Sequence, residues 1–422
     1  MTTLARISAG LLMTTCLAGA AAAQTELTFW QHGAGNAWEG KIFGQMVEEF
    51  NASQSDWKVT FQQFPQAAYN DSVTAAALSG ELPDILDVDG PVMPNWAWAG
   101  YLAPLEITRE ELAGFLPGTI GVWKDQVYSV GLWDAAVAMI TRKSILDKYG
   151  IRVPTLEQPW TGEEFNAALA TIKESGDFAY PLDLGMWDKG EWYPYAYSPF
   201  LQSFGGDIVD RSTYQTAEGV LNGDAAVEFG EWWQGLFADG LAPGGSQPPA
   251  DGPEALGFRE GKYAITWVGN WNAAAVLKDF GDDALFLPAP DFGNGPKIGA
   301  GSWQLAVSAQ SDNKEGANAF IRFALQDKYQ AMFSDASGLA PATASAAAMT
   351  ENYKEGAPMA VFYDLSAEQA LVRPVTPGYV VEARVFRKAL ADIADGADVV
   401  TALDAAVDEI NADIQNNQGY GH

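Results

Sequence analysis

Carboxylates and aromatic rings dominate the side chains that could act on a small molecule. The 422-residue chain has 54 acidic residues and 15 tryptophans, but only two histidines and one cysteine. Paired carboxylates could serve as general acid and base or could accept hydrogen bonds from hydroxyl groups, and flat indole faces could cover the apolar face of a sugar ring. Thiol chemistry and histidine-rich metal sites have almost no residues available.

Several tryptophans stand where a predicted strand runs out into a loop. They are Trp30 in LTFWQHG, Trp133 in VYSVGLWD, Trp267 and Trp271 in YAITWVGNWN, and Trp303 in IGAGSWQ. Aromatic faces at strand ends suit the binding of a small ligand such as a sugar. The inventory therefore favours a binding protein over an enzyme.

Asp87 and Asp89 close the predicted strand PDILDVD (residues 83–89), where they alternate with apolar residues. A carboxylate at a strand end can accept hydrogen bonds from two neighbouring sugar hydroxyls, and its charge strengthens them. Both are candidate ligand contacts, with a capping or turn role as the alternative for Asp87. The DxDG string does not form a calcium loop, because Ile85 and Trp96 occupy positions that an EF-hand fills with acids. We predict neither a metal nor another cofactor.

The sequence lacks the short motifs of common hydrolases and nucleotide-binding enzymes. GxSxG, HExxH, P-loop and CxxC patterns are absent, and HGAGNAW (residues 32–38) departs from GxGxxG because Trp38 replaces the third glycine. A glycosidase would need two carboxyl groups about 5–10 Å apart across one bond. With so many acids in the chain, such pairs do not discriminate. A secreted carbohydrate-active hydrolase remains the alternative to a binding protein.

The first 23 residues predict export. One basic residue precedes the apolar run ISAGLLMTTCLAGA, and small residues end the segment, so we expect a secretory signal cleaved before Gln24. A transmembrane helix is the alternative, but the run is short and no stop-transfer charges follow. Cys16 lies inside the signal, and the residues before it do not resemble a lipoprotein cleavage box. We therefore expect a soluble periplasmic protein without disulfides.

The formal net charge of −30 at pH 7 limits the partners. Such a field repels nucleic acid and anionic lipid, so we predict neither as a partner. It also disfavours strongly anionic ligands unless an arginine lies nearby. A neutral or weakly polar ligand is the expectation.

Alternating strand and helix patterns predict an α/β fold. Strands are expected at 27–30, 57–64, 83–89, 263–268 and 284–290, and helices at 40–51, 69–78, 143–149, 162–174, 223–236, 314–333, 379–394 and 398–415. Gly80 is the expected end of the second helix, and a Gly/Pro-rich loop covers 241–253. The first strands favour a parallel, doubly wound sheet whose ligands bind beyond the strand carboxyl ends.

Seven segments in order carry a resemblance to a known family. They are LSGELPDILDVDG…WAWAGYLAPLE, KDQVYSVGL, PWTGEEFNAAL, FREGKYAITWVGNW, LPAPDFG…GAGSWQLAVSAQSDNKEGANAFIRFAL, SGLAPA and RPVTPGY…FRKALADIADGADVVTALDAA. The chain resembles extracellular solute-binding proteins of family 1, the maltose-binding-protein-like sugar-binding components of bacterial ABC importers. The resemblance spans essentially the whole mature chain.

The resemblance implies two α/β lobes with the ligand in a cleft between them. The first lobe would take residues 24–132 plus 291–338, and the second 133–290 plus 339–422. The hinge would be crossed near 130–133, 288–290 and 337–341, where glycine and proline suit a rotation. The resemblance further implies a monomer that closes on a carbohydrate and then meets the membrane permease subunits. A binding protein that serves a chemoreceptor would share this fold.

Eight further ligand contacts follow from the resemblance, besides Asp87 and Asp89. They are His32, Trp133, Asp134, Tyr195, Trp271, Ser302, Trp303 and Arg373. Packing within a lobe is the alternative for Trp271, and an ion pair between the lobes is the alternative for Arg373. The aromatic run EWYPYAY (residues 191–197) leaves the register of Tyr195 open.

Overall fold

The computed structural model describes residues 24–186, 190–244 and 255–421. The predicted signal segment, Trp187 and most of the loop predicted at 241–253 lie outside these residues. Within the described ranges, none of the helices combines the length and apolar character that a bilayer crossing requires.

The strands form two main sheets. They are β1 (Thr25–Gln31), β2 (Trp57–Gln63), β3 (Ile85–Asp89), β4 (Leu102–Ala103), β5 (Ile120–Trp123), β6 (Gln126–Val130), β7 (Trp133–Asp134), β8 (Val137–Arg142), β9 (Tyr180–Asp183), β10 (Tyr263–Gly269), β11 (Ala284–Leu287), β12 (Ile298–Gly299), β13 (Trp303–Ser308), β14 (Ala340–Pro341) and β15 (Ala370–Leu371). The first sheet has the order β2-β1-β3-β13-β6-β5, with β4 beside β13, and the second has the order β11-β8-β10-β9. Two short pairs, β7 with β14 and β12 with β15, lie apart from them.

Helices cover both sheets. They are α1 (Ala37–Ser53), α2 (Gln66–Ser79), α3 (Met93–Trp98), α4 (Lys143–Tyr149), α5 (Gly162–Ser175), α6 (Ser198–Phe204), α7 (Asp224–Ala238), α8 (Leu256–Arg259), α9 (Ala273–Phe280), α10 (Lys314–Ala324), α11 (Asp327–Ser337), α12 (Ala344–Ala347), α13 (Ala360–Glu368), α14 (Tyr379–Ala394) and α15 (Val399–Asn416). Gly80 ends α2 as predicted, with a left-handed φ of 74° that glycine adopts at little cost. The predicted helix at 314–333 is instead divided into α10 and α11, because Gln326 has an extended ψ of 138° between them.

The first sheet is mixed, whereas the sequence predicted a parallel one. β1 pairs in parallel with β2 and β3, but β13 pairs antiparallel with β3 and β6. β13 arrives late in the chain, and local periodicity does not reveal the direction in which a distant strand joins a sheet. Its reversed direction brings Trp303 opposite Asp89 at the carboxyl end of β3.

Each main sheet packs on its own core, so the molecule has two lobes. Phe29 and Phe320 lie in the core of the first sheet, and Ile140 and Trp267 lie in the core of the second. The pair β7–β14 lies at two of the three predicted crossings. Ile298, which follows the crossing predicted near 288–290, packs in the same core as the second sheet. The exact lobe boundaries remain a prediction.

Candidate functional site

A cleft of about 930 Å³ opens between the lobes. The residues that follow β1, together with residues of β3, β7, β13 and the first turn of α1, line it from the first lobe and the hinge. The segment before α6, the start of α9 and the stretch after β15 line it from the second lobe. The predicted site residues that line it are His32, Asp89, Trp133, Tyr195, Trp271, Ser302, Trp303 and Arg373.

The first-lobe wall is built from a histidine stacked on a tryptophan. His32 directly follows β1, and Trp303 begins β13. Their ring centroids are 3.6 Å apart and their planes differ by 10°. Asp89 ends β3 opposite Trp303, so three polar or aromatic side chains meet at one edge of the sheet. This is the edge at which open α/β sheets bind ligands.

The second-lobe wall is aromatic. The ring centroids of Trp271 and Tyr195 are 6.4 Å apart, and their planes differ by 23°. The Trp192 ring meets Trp271 edge-on, with centroids 6.1 Å apart. Trp271 keeps 37% of its surface exposed, which is a large fraction for an indole packed against two other rings. Gly269 creates the space for it, because a Cβ there would overlap the indole. The exposed face is available to a ligand.

Trp133 and Ser302 lie near the hinge end of the cleft. Trp133 is only 5% exposed and packs against Phe333 with ring centroids 4.5 Å apart, so most of its ring stabilises the first lobe. Ser302 is buried, and its hydroxyl has no hydrogen-bond partner among the described residues. Because an unsatisfied buried hydroxyl is costly, Ser302 is a candidate to contact a polar ligand group.

Arg373 connects the lobes. Its guanidinium lies 3.3 Å from Asp89 Oδ1 and 2.5 Å from Glu191 Oε1, and it stacks 5.1 Å from the Tyr195 ring centroid. Asp89 belongs to the first lobe, whereas Glu191 and Tyr195 belong to the second. The geometry matches the interlobe ion pair that the sequence left open as the alternative for Arg373.

Asp87 and Asp134 do not line the cleft but support residues that do. Asp87 Oδ2 lies 2.5 Å from His32 Nδ1. Burial alone would lower the pKa of His32, but the charge and hydrogen bond of Asp87 leave it raised. Asp134 is fully buried and accepts a hydrogen bond from the backbone N–H of Gly301 at 2.6 Å. Burial raises the pKa of Asp134 to about 6.

Several cleft residues were absent from the sequence prediction, including Trp38, Glu39, Glu191 and Trp192. Glu191 and Trp192 lie in the aromatic run whose register was left open. Glu39 had a detectable signal, because it occupies a position on the apolar stripe of α1. An acid on a buried stripe is unusual.

Glu39 is an acid of the cleft with a raised pKa. Its exposure is 3%, and burial raises its pKa to about 7, against the opposing charge of His32. Asp87 adds to the increase. Among the described residues, no group of three or more histidine, cysteine or acidic side chains is arranged to hold a metal ion.

The chain is similar to known proteins over most of its length. Residues 45–361 match the family described as bacterial extracellular solute-binding protein. The chain is 25% identical over 301 residues to an uncharacterized lipoprotein in the oleD 5′ region of Streptomyces antibioticus, covering 67% of this chain and 63% of that protein. It is also 25% identical over 313 residues to the diacetylchitobiose binding protein DasA of Streptomyces coelicolor, covering 70% of this chain and 68% of DasA.

The fold is also that of a solved sugar-binding protein. The cyclic alpha-maltosyl-1,6-maltose binding protein from Arthrobacter globiformis superposes with a TM-score of 0.77 at 23% identity, over 93% of this chain and all of that one. This similarity confirms the predicted two-lobed architecture. The chain spans less than two thirds of the length of the Streptomyces antibioticus lipoprotein, so shared sequence does not extend over that whole protein.

Proposed function

The chain belongs to the bacterial extracellular solute-binding protein family, and we propose that it binds a carbohydrate between its lobes and delivers it to an ABC importer. The ligand is a neutral or weakly polar sugar, polyol or glycoside. The protein acts as a monomer in the periplasm after its signal segment is removed. Closure of the lobes on the ligand creates the surface that the permease subunits recognise.

The observation that carries this proposal is the pair of facing aromatic walls. His32 and Trp303 stack on one side, and Trp271 offers an exposed indole face on the other. Sugar rings have apolar faces and polar edges, so they fit between aromatic surfaces whose borders carry hydrogen-bonding groups. Asp89 and Ser302 supply such groups at the border of the cleft.

Transport explains the site better than hydrolysis does. The cleft contains acids, but Asp89 and Glu191 are both engaged by Arg373. These two acids therefore do not form an unpartnered pair of carboxyl groups of the kind that a glycosidase needs. The relatives with known roles are named as binding proteins. A role in presenting sugar to a chemoreceptor would use the same cleft and the same closure.

Titration calorimetry on the mature protein tests the proposal. The panel is mannitol, maltose, diacetylchitobiose and glucose, followed by chromatography of the ligand recovered after prolonged incubation. We expect at least one probe to bind at one per chain and to be recovered unchanged. A probe that is cleaved would replace the binding function with a hydrolase, and binding of none would contradict the carbohydrate assignment.

A further inference from the structure

Glu39 is a buried acid that the fold has made room for. It lies in the first turn of α1 with 3% of its surface exposed, and it lines the cleft beside His32. Gly33 packs against it so closely that a Cβ there would overlap the carboxylate. Asn36 Nδ2 donates to Glu39 Oε2 at 3.3 Å, which is long for such a bond.

The other carboxylate oxygen faces the histidine without reaching it. Glu39 Oε1 and His32 Nε2 are 3.9 Å apart, beyond hydrogen-bond distance. The side chains of Asn36 and Gln31 both hydrogen-bond to the Glu39 carboxylate, but they do not offset the cost of removing its charge from water, and its pKa stays raised. An acid near a helix start gains some stability from the helix dipole, but that gain does not require burial. Two atoms at this distance leave no room for a third atom directly between them, but a ligand oxygen in the cleft beside them can lie within hydrogen-bond distance of both.

The two facing groups have complementary hydrogen-bonding roles. His32 Nδ1 is engaged by Asp87 at 2.5 Å, so the proton that a charged imidazole gains lies on Nε2, on the side of Glu39. Glu39 Oε1 accepts a hydrogen bond when the carboxylate is ionised, and burial raises the pKa of this group to about 7. One donor and one acceptor therefore face the same space.

We propose that His32 and Glu39 together bind a single hydroxyl group of the carbohydrate, with its oxygen accepting from His32 Nε2 and its hydrogen donated to Glu39 Oε1. A hydroxyl oxygen can lie about 2.7–2.9 Å from both atoms, since it accepts and donates at once. This inference rests on the proposed function and makes Glu39 a specificity-determining residue of the same cleft.

Other ligand groups fit this pair less well. A protonated amine has only donors, so it would meet the N–H of the His32 imidazolium with a like charge. A carboxylate has only acceptors and would be repelled by Glu39. An ether oxygen or a hydrogen in place of the hydroxyl would leave Glu39 Oε1 without a donor. The pair consequently selects a free hydroxyl at one position of the sugar.

The test combines variants with deoxy sugars. The probe is whichever of mannitol, maltose, diacetylchitobiose or glucose binds the wild type most tightly, together with its monodeoxy derivatives. The variants are Glu39→Gln and His32→Gln, and the control is Glu48→Gln, which makes the same charge change on an exposed position of α1. Calorimetry gives each dissociation constant, and thermal unfolding confirms that each variant is folded.

We expect Glu39→Gln to weaken binding of the parent sugar by roughly tenfold to a hundredfold, as for loss of a charge-assisted hydrogen bond, and Glu48→Gln to leave it unchanged. One monodeoxy derivative should bind the wild type poorly. Its affinity should fall little further in Glu39→Gln or His32→Gln, because removing the sugar hydroxyl, the carboxylate or the imidazole removes the same interaction.

Three results would contradict this expectation. If Glu39 only supports the fold, Glu39→Gln would weaken the binding of every derivative by one common factor, and the inference would be overturned. If Glu39→Gln binds the parent sugar like the wild type, the inference fails while the binding function stands. If the wild type binds no probe, the proposed function itself fails and this inference falls with it.

Discussion

Replacing Trp271 with alanine is the sharpest test of the aromatic cleft. The indole keeps 37% of its surface exposed, and the remainder packs on Tyr195 and Trp192. For a tryptophan of about 250 Å², the exposed part is about 90 Å², and covering it with a sugar is worth about 2 kcal/mol at 25 cal/mol per Å². This magnitude is typical of an interface hot spot. We therefore expect Trp271→Ala to raise the dissociation constant about 30-fold.

A second exposed tryptophan provides the matched control for this experiment. Trp98 is 43% exposed and contacts Tyr420 edge-on at 5.1 Å, but it does not line the cleft. Calorimetry with the tightest-binding panel sugar should show the loss for Trp271→Ala and wild-type affinity for Trp98→Ala. Equal affinities for all three proteins would refute the stacking role of Trp271, provided that the variants unfold at temperatures close to that of the wild type. A loss in both variants would point to a general effect of removing surface indoles.

Two other substitutions probe positions that the same geometry makes sensitive. Gly269→Ala should weaken sugar binding as much as Trp271→Ala does, because the new methyl group must displace the indole; unchanged affinity by calorimetry would contradict this packing. Glu382 is buried, neither of its carboxylate oxygens has a partner among the described residues, and burial followed by the charges of Asp207 and Asp413 raises its pKa from 4.5 to about 8. Since its folded pKa lies above the unfolded one, the folded protein binds the extra proton between these values and loses stability as pH rises through that window. Melting curves should thus show Glu382→Gln more stable than the wild type at pH 9 and similar to it near pH 4, and a variant that is less stable at pH 9 would count against this account.

Local sequence patterns predicted the elements better than their assembly. The helices at 143–149 and 379–394 have the predicted bounds, and the strand at 263–268 is extended by one residue. These elements depend on short-range periodicity, capping and turn residues, which a single sequence contains. The antiparallel entry of β13 and the division of the helix at 314–333 depend on long-range packing and on one backbone torsion at Gln326. Neither has a periodic signal.

The same distinction applies to the cleft. The family resemblance placed His32 and Trp303 among the expected cleft residues, but it did not reveal the antiparallel entry of β13 that brings Trp303 opposite Asp89. The ion pair of Arg373 with Asp89 joins residues that are far apart in sequence and lie on opposite sides of the cleft, so no local pattern reveals it. Glu39 was overlooked for a different reason. Helical periodicity identifies the buried face of α1 from its apolar residues, and Glu39 is the acid on that face, so a pattern of apolar residues does not include it.

The two walls of the cleft differ in rigidity and in chemistry, and this difference assigns them different roles. His32 is stacked on Trp303, tied to Asp87 and only 6% exposed, so its position is fixed before a ligand arrives. A preorganised polar group loses little entropy on binding and discriminates by direction. Trp271 instead offers an exposed apolar face, whose contact is not directional.

Changes at Glu39 or His32 should therefore reorder the affinities of the panel sugars, whereas Trp271→Ala should reduce all of them by a similar factor. If Trp271→Ala reordered the panel and Glu39→Gln reduced it uniformly, selectivity would reside in the second lobe and this division would be wrong.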